Sequence, residues 1–169
     1  FKNNAIRKGI THCPHCLNSL KNEYPQFGTH LEVIHHSELL QKLIKDGKIS
    51  PKQDKQNNIV FHDSCYLGRH NEIYEAPREV LNHAGGQIKE VEHSRETGTC
   101  CGAGGARFLL EENIGTRMSH HRINELMVNE PDTIAVSCPF CVLMLEDAAK
   151  AKNLKVQIKD IGEMIQKKT

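Results

Sequence analysis

The stretch DTIAVSCPFCVLMLEDAAKAK, residues 132–152, predicts a strand that runs directly into a helix. Its first seven residues are mostly β-branched or apolar, as in a buried strand. Pro139 then suits the first turn of a helix, where the missing N–H of proline is not needed. Cys138 and Cys141 therefore stand at the start of a helix, where unpaired N–H groups and partial positive charge favour a thiolate over a thiol. Such a pair serves a metal site or a redox dithiol equally well.

The rest of the chain shows the same alternation of short strand-like runs and amphipathic stretches. Strands are predicted at 31–36, 58–63, 87–93 and 132–138, with a last strand and helix within 154–168. Helices are predicted at 37–47, 76–86, 114–129 and 139–152. Ser37 is the predicted N-cap of the first helix, and the third is expected to begin near Thr116. This order favours an α/β fold with a largely parallel sheet and flanking helices.

The motif around the two cysteines occurs twice in the chain. THCPHCLNSL at 11–20 matches VSCPFCVLML at 136–145, and a similar strand and helix follow in each case. We interpret this as a repeat, in which residues 59–169 form a complete unit and residues 1–49 form the last part of an earlier unit. The polar residues 50–58 are predicted as the linker between them. Because the chain begins with Phe1 rather than Met, we expect it to be a piece of a longer protein.

Composition indicates a soluble globular protein. The 169 residues carry a formal net charge of +1, which argues against nucleic acid or an anionic membrane as the main partner. No apolar run approaches the roughly 20 residues that span a bilayer, and no signal peptide is visible. The odd number of cysteines, seven, argues against a disulfide-stapled secreted domain. We therefore expect reduced thiols in a cytoplasmic protein, with any membrane association made through other regions.

Five cysteines occupy three places in the second unit, and each place follows a predicted strand: Cys65, Cys100 with Cys101, and Cys138 with Cys141. Ligands gather at the carboxyl ends of strands in open α/β sheets, so the five side chains can converge. A zinc ion takes four ligands and would leave one cysteine over, whereas adjacent thiolates can reach different irons of an iron–sulfur cluster. The glycines behind the adjacent pair let the backbone approach an inorganic sulfide and offer N–H groups to its charge: Gly102, Gly104 and Gly105.

The pattern of one cysteine, a distant Cys-Cys-Gly and a distant C-x-x-C resembles the cysteine-rich CCG domain. That domain occurs in the B-type and D-type subunits of heterodisulfide reductase. It also occurs in the iron–sulfur subunits of glycolate oxidase, anaerobic glycerol-3-phosphate dehydrogenase and lactate-utilisation enzymes. The stretch HDSCYLGRHNEIYEAPREVL, residues 62–81, is most similar to bacterial iron–sulfur oxidoreductases that link electron-transfer flavoprotein to quinone.

The resemblance implies a [4Fe-4S] cluster, of the cubane kind or of the non-cubane kind seen in heterodisulfide reductase. Its implied ligands are Cys65, Cys100, Cys101, Cys138 and Cys141, with Gly102 beside them. Cys13 and Cys16 would belong to a zinc ion or a second cluster whose other ligands are not in this sequence. The implied function is that of an iron–sulfur oxidoreductase subunit or domain that passes electrons within a larger complex, toward quinone or a disulfide substrate. Its partners would be other redox subunits or domains, whether flavoprotein, ferredoxin-type or quinone-linked.

Three alternatives each fit part of the pattern. Direct reduction of a disulfide or quinone at the cluster would need a cleft open to solvent beside Gly102, with the substrate near Tyr66 and Arg69. A zinc-stabilised interaction module without redox activity would leave one of the five cysteines idle. A dithiol oxidoreductase that uses Cys138 and Cys141 would leave the other three of the five without a role.

Several polar residues near the cysteines have both a structural and a functional interpretation. His62 and Asp63 precede Cys65, and they either tune the cluster through hydrogen bonds or cap the end of the strand. His15 lies within the first cysteine pair, but the second pair has Phe140 at that place, which argues against a ligand role. The helix at 114–129 carries four basic residues, for which a solvated helix face is favoured over a patch for an acidic electron carrier: Arg117, His120, His121 and Arg122.

Overall fold

The computed structural model describes residues 1, 4–51, 58–110, 112 and 114–165, and in them strands alternate with helices as the α/β prediction requires. The strands are β1 (Lys8–Thr11), β2 (Glu32–His35), β3 (Ile59–Phe61), β4 (Thr133–Val136) and β5 (Gln157–Asp160). The α-helices are α1 (Pro14–Asn18), α2 (His36–Lys45), α3 (Glu75–His83), α4 (Met118–Leu126), α5 (Pro139–Ala151) and α6 (Ile161–Met164). Among the described residues, no helix combines the length and the apolar character that a membrane crossing needs.

The centre of the molecule is a parallel sheet in the order β3-β4-β5. Ile134 in the middle strand pairs with Val60 on one side and with Ile158 on the other. Every residue of β3 and β4 is buried, as expected for parallel strands that are covered on both faces. The prediction of a largely parallel sheet with flanking helices is confirmed.

Successive residues of the central strands face two different helical layers, because side chains alternate along a strand. Val60 and Ile134 pack with α4 and α5 in one core cluster. Phe61 and Ala135 pack with α3 and α6 in another, and α2 lies against the same cluster. Helices therefore cover both faces of the sheet, and functional groups can lie at the edge formed by the carboxyl ends of its strands.

Residues 8–45 follow the same order of elements on a smaller scale. β1 and β2 pair in parallel, with α1 between them and α2 after them. α2 and α6 each begin with a capping box, formed by His35 with Glu38 and by Asp160 with Glu163. This parallel agrees with the predicted repeat, which stays a prediction, as do the boundaries at residues 49 and 59. Residues 52–57 of the predicted linker lie outside the described residues.

Two element predictions were wrong. The predicted strand at 87–93 contributes a single bridge, between Ile88 and Ile59. Past this bridge the segment leaves β3, and the backbone oxygen of Glu90 accepts from the side chain of Asn129 instead. His35 rather than Ser37 is the N-cap of α2. Its ring Nδ1 accepts from the backbone N–H of Ser37 at 3.4 Å, and the side chain of Glu38 accepts from the N–H of His35 at 2.9 Å. The predicted start of the third helix is two residues early, since α4 begins at residue 118 rather than near 116.

Candidate metal centre

Five thiols meet at the carboxyl edge of the central sheet. Cys65 follows β3, and the pair Cys138 and Cys141 opens α5 directly after β4, with Cys138 as its N-cap. The Sγ atoms of Cys141 and Cys101 are 3.3 Å apart. Along the series 65, 100, 101, 141 and 138, each thiol lies close enough to the next to shift its pKa. Three of the five are buried, and Cys65 and Cys100 are half-buried.

The pKa values of these thiols alternate along the series. The pKa of Cys100 falls to about 2, because its sulfur accepts hydrogen bonds from Cys101 and Cys65. The pKa of Cys138 falls to about 5, chiefly because of a hydrogen bond from Cys141. The other three pKa values are raised, that of Cys101 to about 12 by its hydrogen bond to Cys100. Ionising all five thiols therefore requires positive charge from outside the chain, as a metal group provides.

The number of donors decides between kinds of metal group. A single zinc ion takes four ligands in a tetrahedron, whereas the site presents five sulfur atoms, of which those of Cys101 and Cys141 are 3.3 Å apart. Adjacent side chains such as Cys100 and Cys101 are also poorly placed to bind one ion together. A polynuclear group held by thiolates fits this donor set, and an iron–sulfur cluster is such a group.

Gly102 closes the loop behind the adjacent cysteines. Its φ is +90°, in the region that favours glycine, and a Cβ there would lie 3.0 Å from the Cβ of Met118. Its N–H donates to the Sγ of Cys100 at 3.3 Å. Glycine is therefore required here by the backbone and by the close approach of α4, and it supplies a backbone donor to a thiolate.

A buried histidine lies beside these thiols. His62 is completely buried, and one of its ring nitrogens lies within 4.8 Å of the sulfur atoms of Cys101 and Cys141. Its Nδ1 accepts a hydrogen bond from Nε of Arg122 at 3.1 Å. Burial, and next the charge of Arg122, lower the pKa of His62 to about 3, so its ring is neutral.

The prediction that Arg122 belongs to a solvated helix face is wrong, because Arg122 is completely buried. α4 buries residues spaced by three and four positions: Ser119, Arg122, Ile123 and Leu126. Inside the protein, the Arg122 guanidinium donates to Glu125 at 2.6 Å and to the backbone oxygen of His93 at 2.9 Å. Glu125 also accepts from the hydroxyl of Thr99 at 2.9 Å. The apolar periodicity of α4 is the signal in the sequence that could have placed Arg122 inside.

Asp63 anchors the segment before Cys65 through a buried ion pair. Its carboxylate oxygens accept from the Arg78 guanidinium at 2.7 and 2.9 Å, and one of them also accepts from the backbone N–H of Arg95 at 2.7 Å. Arg78 donates in addition to Glu90 at 2.6 Å. Asp63 therefore ties the end of β3 to α3 and to the segment that leads to the adjacent cysteines, which is more than the strand-end cap of the simpler interpretation.

The first cysteine pair lies beside the five thiols, and His15 stands between the two groups. The neighbouring thiols of Cys13 and Cys138 raise the pKa of His15 to about 9. The ring stacks on Tyr66 with centroids 4.0 Å apart and meets Phe140 edge-on at 5.5 Å. Comparison of the two motifs argues against a role for His15, because Phe140 is its counterpart. In the structure the two counterparts are neighbours.

A cavity of about 400 Å³ opens beside the first pair. Cys13 and Cys16 contribute to its lining, as do Gly104, Gly105 and Phe108. A Cβ on Gly104 or Gly105 would meet no atom of the described residues within 4 Å. These two glycines, expected to approach the cluster, thus line the cavity of the first pair.

Two residues expected near a substrate have structural contacts of their own. Tyr66 is stacked between His15 and His70, with centroids 4.0 and 4.2 Å away. Arg69 donates to the backbone oxygen of Gly98 at 2.7 Å and so braces the segment before the adjacent cysteines.

Known proteins share this pattern. A family model described as a cysteine-rich domain, CCG, matches residues 59–146. The probable iron–sulfur-binding oxidoreductase FadF of Bacillus subtilis is 46% identical over 168 residues, which are 98% of this chain and 24% of that protein. The EtfAB:quinone oxidoreductase of Syntrophomonas wolfei is 43% identical over 176 residues, covering 99% of this chain and 25% of that protein.

Similarity extends to archaeal enzymes. The D-type polypeptide of the dihydromethanophenazine:CoB–CoM heterodisulfide reductase of Methanosarcina barkeri is 32% identical over 165 residues, covering 95% of this chain and 40% of that polypeptide. The chain thus spans about a quarter of the length of the two bacterial relatives and two fifths of the archaeal one. All three relatives carry names of oxidoreductases.

Proposed function

This chain belongs to the family of cysteine-rich CCG domains, and we propose that it is the part of an iron–sulfur oxidoreductase that binds a [4Fe-4S] cluster and passes electrons within a larger redox complex. The observation that carries the proposal is the convergence of five thiols at one edge of the sheet, with the Sγ atoms of Cys141 and Cys101 3.3 Å apart. The proposed ligands come from Cys65, Cys100, Cys101, Cys138 and Cys141.

The chain's own part is to hold thiolates in place and to stabilise their charge. Cys101, Cys138 and Cys141 are almost completely shielded from solvent, with exposures of 4, 1 and 2%. Gly102 donates its N–H to the sulfur of Cys100, and the start of α5 supports the charge of Cys138. A bound cluster would supply the electron-transfer chemistry, with a potential that depends on hydrogen bonds to sulfur and on exposure to solvent.

The electron partners are proposed from the relatives. One relative is named as an EtfAB:quinone oxidoreductase and another as part of a heterodisulfide reductase. We propose that this chain likewise works with other redox subunits or domains, of the flavoprotein, ferredoxin or quinone-linked kind. Cys13 and Cys16 offer two further thiols, half of the set that a zinc ion or a second cluster needs.

A second candidate function is the direct reduction of a disulfide or quinone beside the cluster. The cavity of about 400 Å³ favours it, because this cavity reaches Gly104 and Gly105 in the loop behind the adjacent cysteines. Reduction of a disulfide to two thiols consumes two electrons and two protons, so a one-electron carrier would have to deliver twice. Electron relay and substrate reduction are distinguished by Phe108→Trp, which fills the cavity. The substitution should slow disulfide or quinone reduction and leave reduction of the cluster by dithionite unchanged.

The proposal is tested by anaerobic purification followed by iron, sulfide and zinc analysis of the wild type and of Cys100→Ser and Cys101→Ser. We expect about four irons and four sulfides per five-thiol site in the wild type and their loss in either variant. Cys16→Ser, at an exposed cysteine outside the five, is the matched control and should keep that cluster.

Two results would contradict the proposal. One zinc ion and no sulfide in the wild type would establish the zinc-stabilised module instead. A protein that binds neither metal, and in which only Cys138 and Cys141 react as a redox pair, would establish a dithiol oxidoreductase.

A further inference from the structure

The hydrogen bond between His62 and Arg122 fixes where the proton of the histidine ring lies. Nε of arginine always carries a hydrogen, so it is the donor in its 3.1 Å contact with Nδ1 of His62. Nδ1 therefore presents its lone pair to Arg122 and carries no proton. In the neutral ring, the one remaining N–H is at Nε2.

This N–H is buried, and no acceptor for it lies among the residues that the structure describes. Among the described residues, Nε2 of His62 makes no hydrogen bond although it is shielded from solvent. A buried donor without a partner costs free energy, so such groups in native proteins normally meet an acceptor. The ring lies within reach of the Cys101 and Cys141 sulfur atoms, since a ring nitrogen is within 4.8 Å of both.

We propose that Nε2–H of His62 donates a hydrogen bond to a sulfur atom of the bound cluster, and thereby raises the cluster's reduction potential. The acceptor is either the thiolate of Cys101 or Cys141 or an inorganic sulfide, all of which gain negative charge on reduction. A donor at sulfur stabilises the more negative, reduced state, so the potential rises. This inference rests on the proposed function.

The same geometry excludes His62 as a metal ligand in its neutral form. A neutral imidazole binds a metal through its unprotonated nitrogen, and that nitrogen of His62 is occupied by Arg122. His62 thus lies close enough to two cysteines to resemble a ligand, but its protonation state makes it a donor.

Arg122 is the positioning residue of this arrangement. Its guanidinium is held by Glu125 at 2.6 Å and by the backbone oxygen of His93 at 2.9 Å. Glu125 in turn accepts from Thr99, the residue before Cys100. The ring orientation is therefore fixed by a chain of contacts that begins and ends at the candidate cluster.

The test is a redox titration of the anaerobically purified chain, monitored by electron paramagnetic resonance, for the wild type, His62→Phe and His62→Gln. His62→Phe removes the donor, and His62→Gln keeps an N–H in the same region. At the wild-type midpoint potential, we expect the ratio of oxidised to reduced cluster to rise about tenfold in His62→Phe, which is a shift of about 59 mV to lower potential for a one-electron couple. His62→Gln should recover part of the shift, and His83→Phe, at an exposed histidine of α3, should show none.

The possible failures are distinct. An unchanged midpoint in His62→Phe with iron and sulfide retained would overturn the inference alone. Loss of iron in both His62 variants, with folding retained, would show that His62 is a ligand, which also overturns it. A wild type without iron or sulfide would overturn the proposed function and this inference with it.

A second measurement does not depend on any variant or on the cluster. A ¹⁵N-histidine correlation spectrum of the metal-free chain reports which ring nitrogen of His62 carries the proton. We expect Nε2, and a proton on Nδ1 would contradict the assignment.

Discussion

Replacing Gly102 by alanine tests the loop that carries the adjacent cysteines. The φ of +90° is unfavourable for any residue with a Cβ, and the cost is about 1–2 kcal/mol. The new Cβ would also lie 3.0 Å from the Cβ of Met118 and 3.4 Å from the backbone nitrogen of Ser119. Both neighbours begin α4 and cannot rotate away, so the loop has to move. We expect the free energy of unfolding to fall by about 2–3 kcal/mol in total.

The assay is urea and thermal unfolding followed by circular dichroism, with iron content measured on the same samples. For a chain of this length, the expected loss lowers Tm by roughly 4–12 °C. Gly104→Ala is the matched control, because the φ of Gly104 is not positive and its Cβ would meet no atom within 4 Å in the part of the chain that the structure describes. A Gly102→Ala protein that unfolds like the Gly104→Ala protein and binds as much iron would refute the reasoning.

Three further predictions concern the surroundings of the site. Arg78→Leu leaves the buried carboxylate of Asp63 without its partner, so the free energy of unfolding in urea should fall by about 3–5 kcal/mol. A fall below about 1 kcal/mol would mean that Asp63 finds another donor. The pKa of His35 is lowered from 6.5 to about 3, mainly by burial. As the pH drops, His35 takes up its proton in the unfolded chain before it does so in the folded protein. The free energy of unfolding is therefore undiminished above pH 6.5 and falls below it, by about 2 kcal/mol at pH 5. Unfolding curves at pH 5 and 7 should show this fall, and His35→Gln should flatten the difference. Leu17→Ala, at a completely buried position, should lower the free energy of unfolding by about 2–5 kcal/mol in the same assay. An unchanged unfolding midpoint would mean that the surrounding side chains fill the cavity without a loss of stability.

The fold was predictable because its strands and helices alternate in a simple order. The apolar run at 133–136 has no polar interruption, and Pro139 marks the start of the following helix. The approach of Cys65 to Cys138 and Cys141 followed from the same order, since parallel strands end at one edge. The strand prediction at 87–93 fails although its composition is strand-like, because pairing with β3 depends on tertiary contacts such as that of Glu90 with Asn129.

The polar surroundings of the site were much harder to predict. Arg122 and His62 are 60 residues apart, and a charge on a helix gives no indication of which distant group will approach it. The repeat aligns His15 with Phe140, but alignment of two motifs does not show that they face each other. In each case the decisive fact is a contact between segments distant in sequence, and periodicity carries no information on such contacts.

Leu17 and Val33 from the first part of the chain share a core with Leu67 from the second, and α2 packs against the core beneath the central sheet. The two parts are therefore joined through shared core clusters, and we expect them to melt in one cooperative transition rather than as two independent foldons. Metal bound at either cysteine group would then protect both against proteolysis, because ligand binding to the native state stabilises the whole cooperative unit. The family match begins at residue 59, but that position is a boundary of sequence similarity and not the start of an independent folding unit. Anyone who transplants the five-thiol centre into another scaffold has to carry residues 8–45 with it.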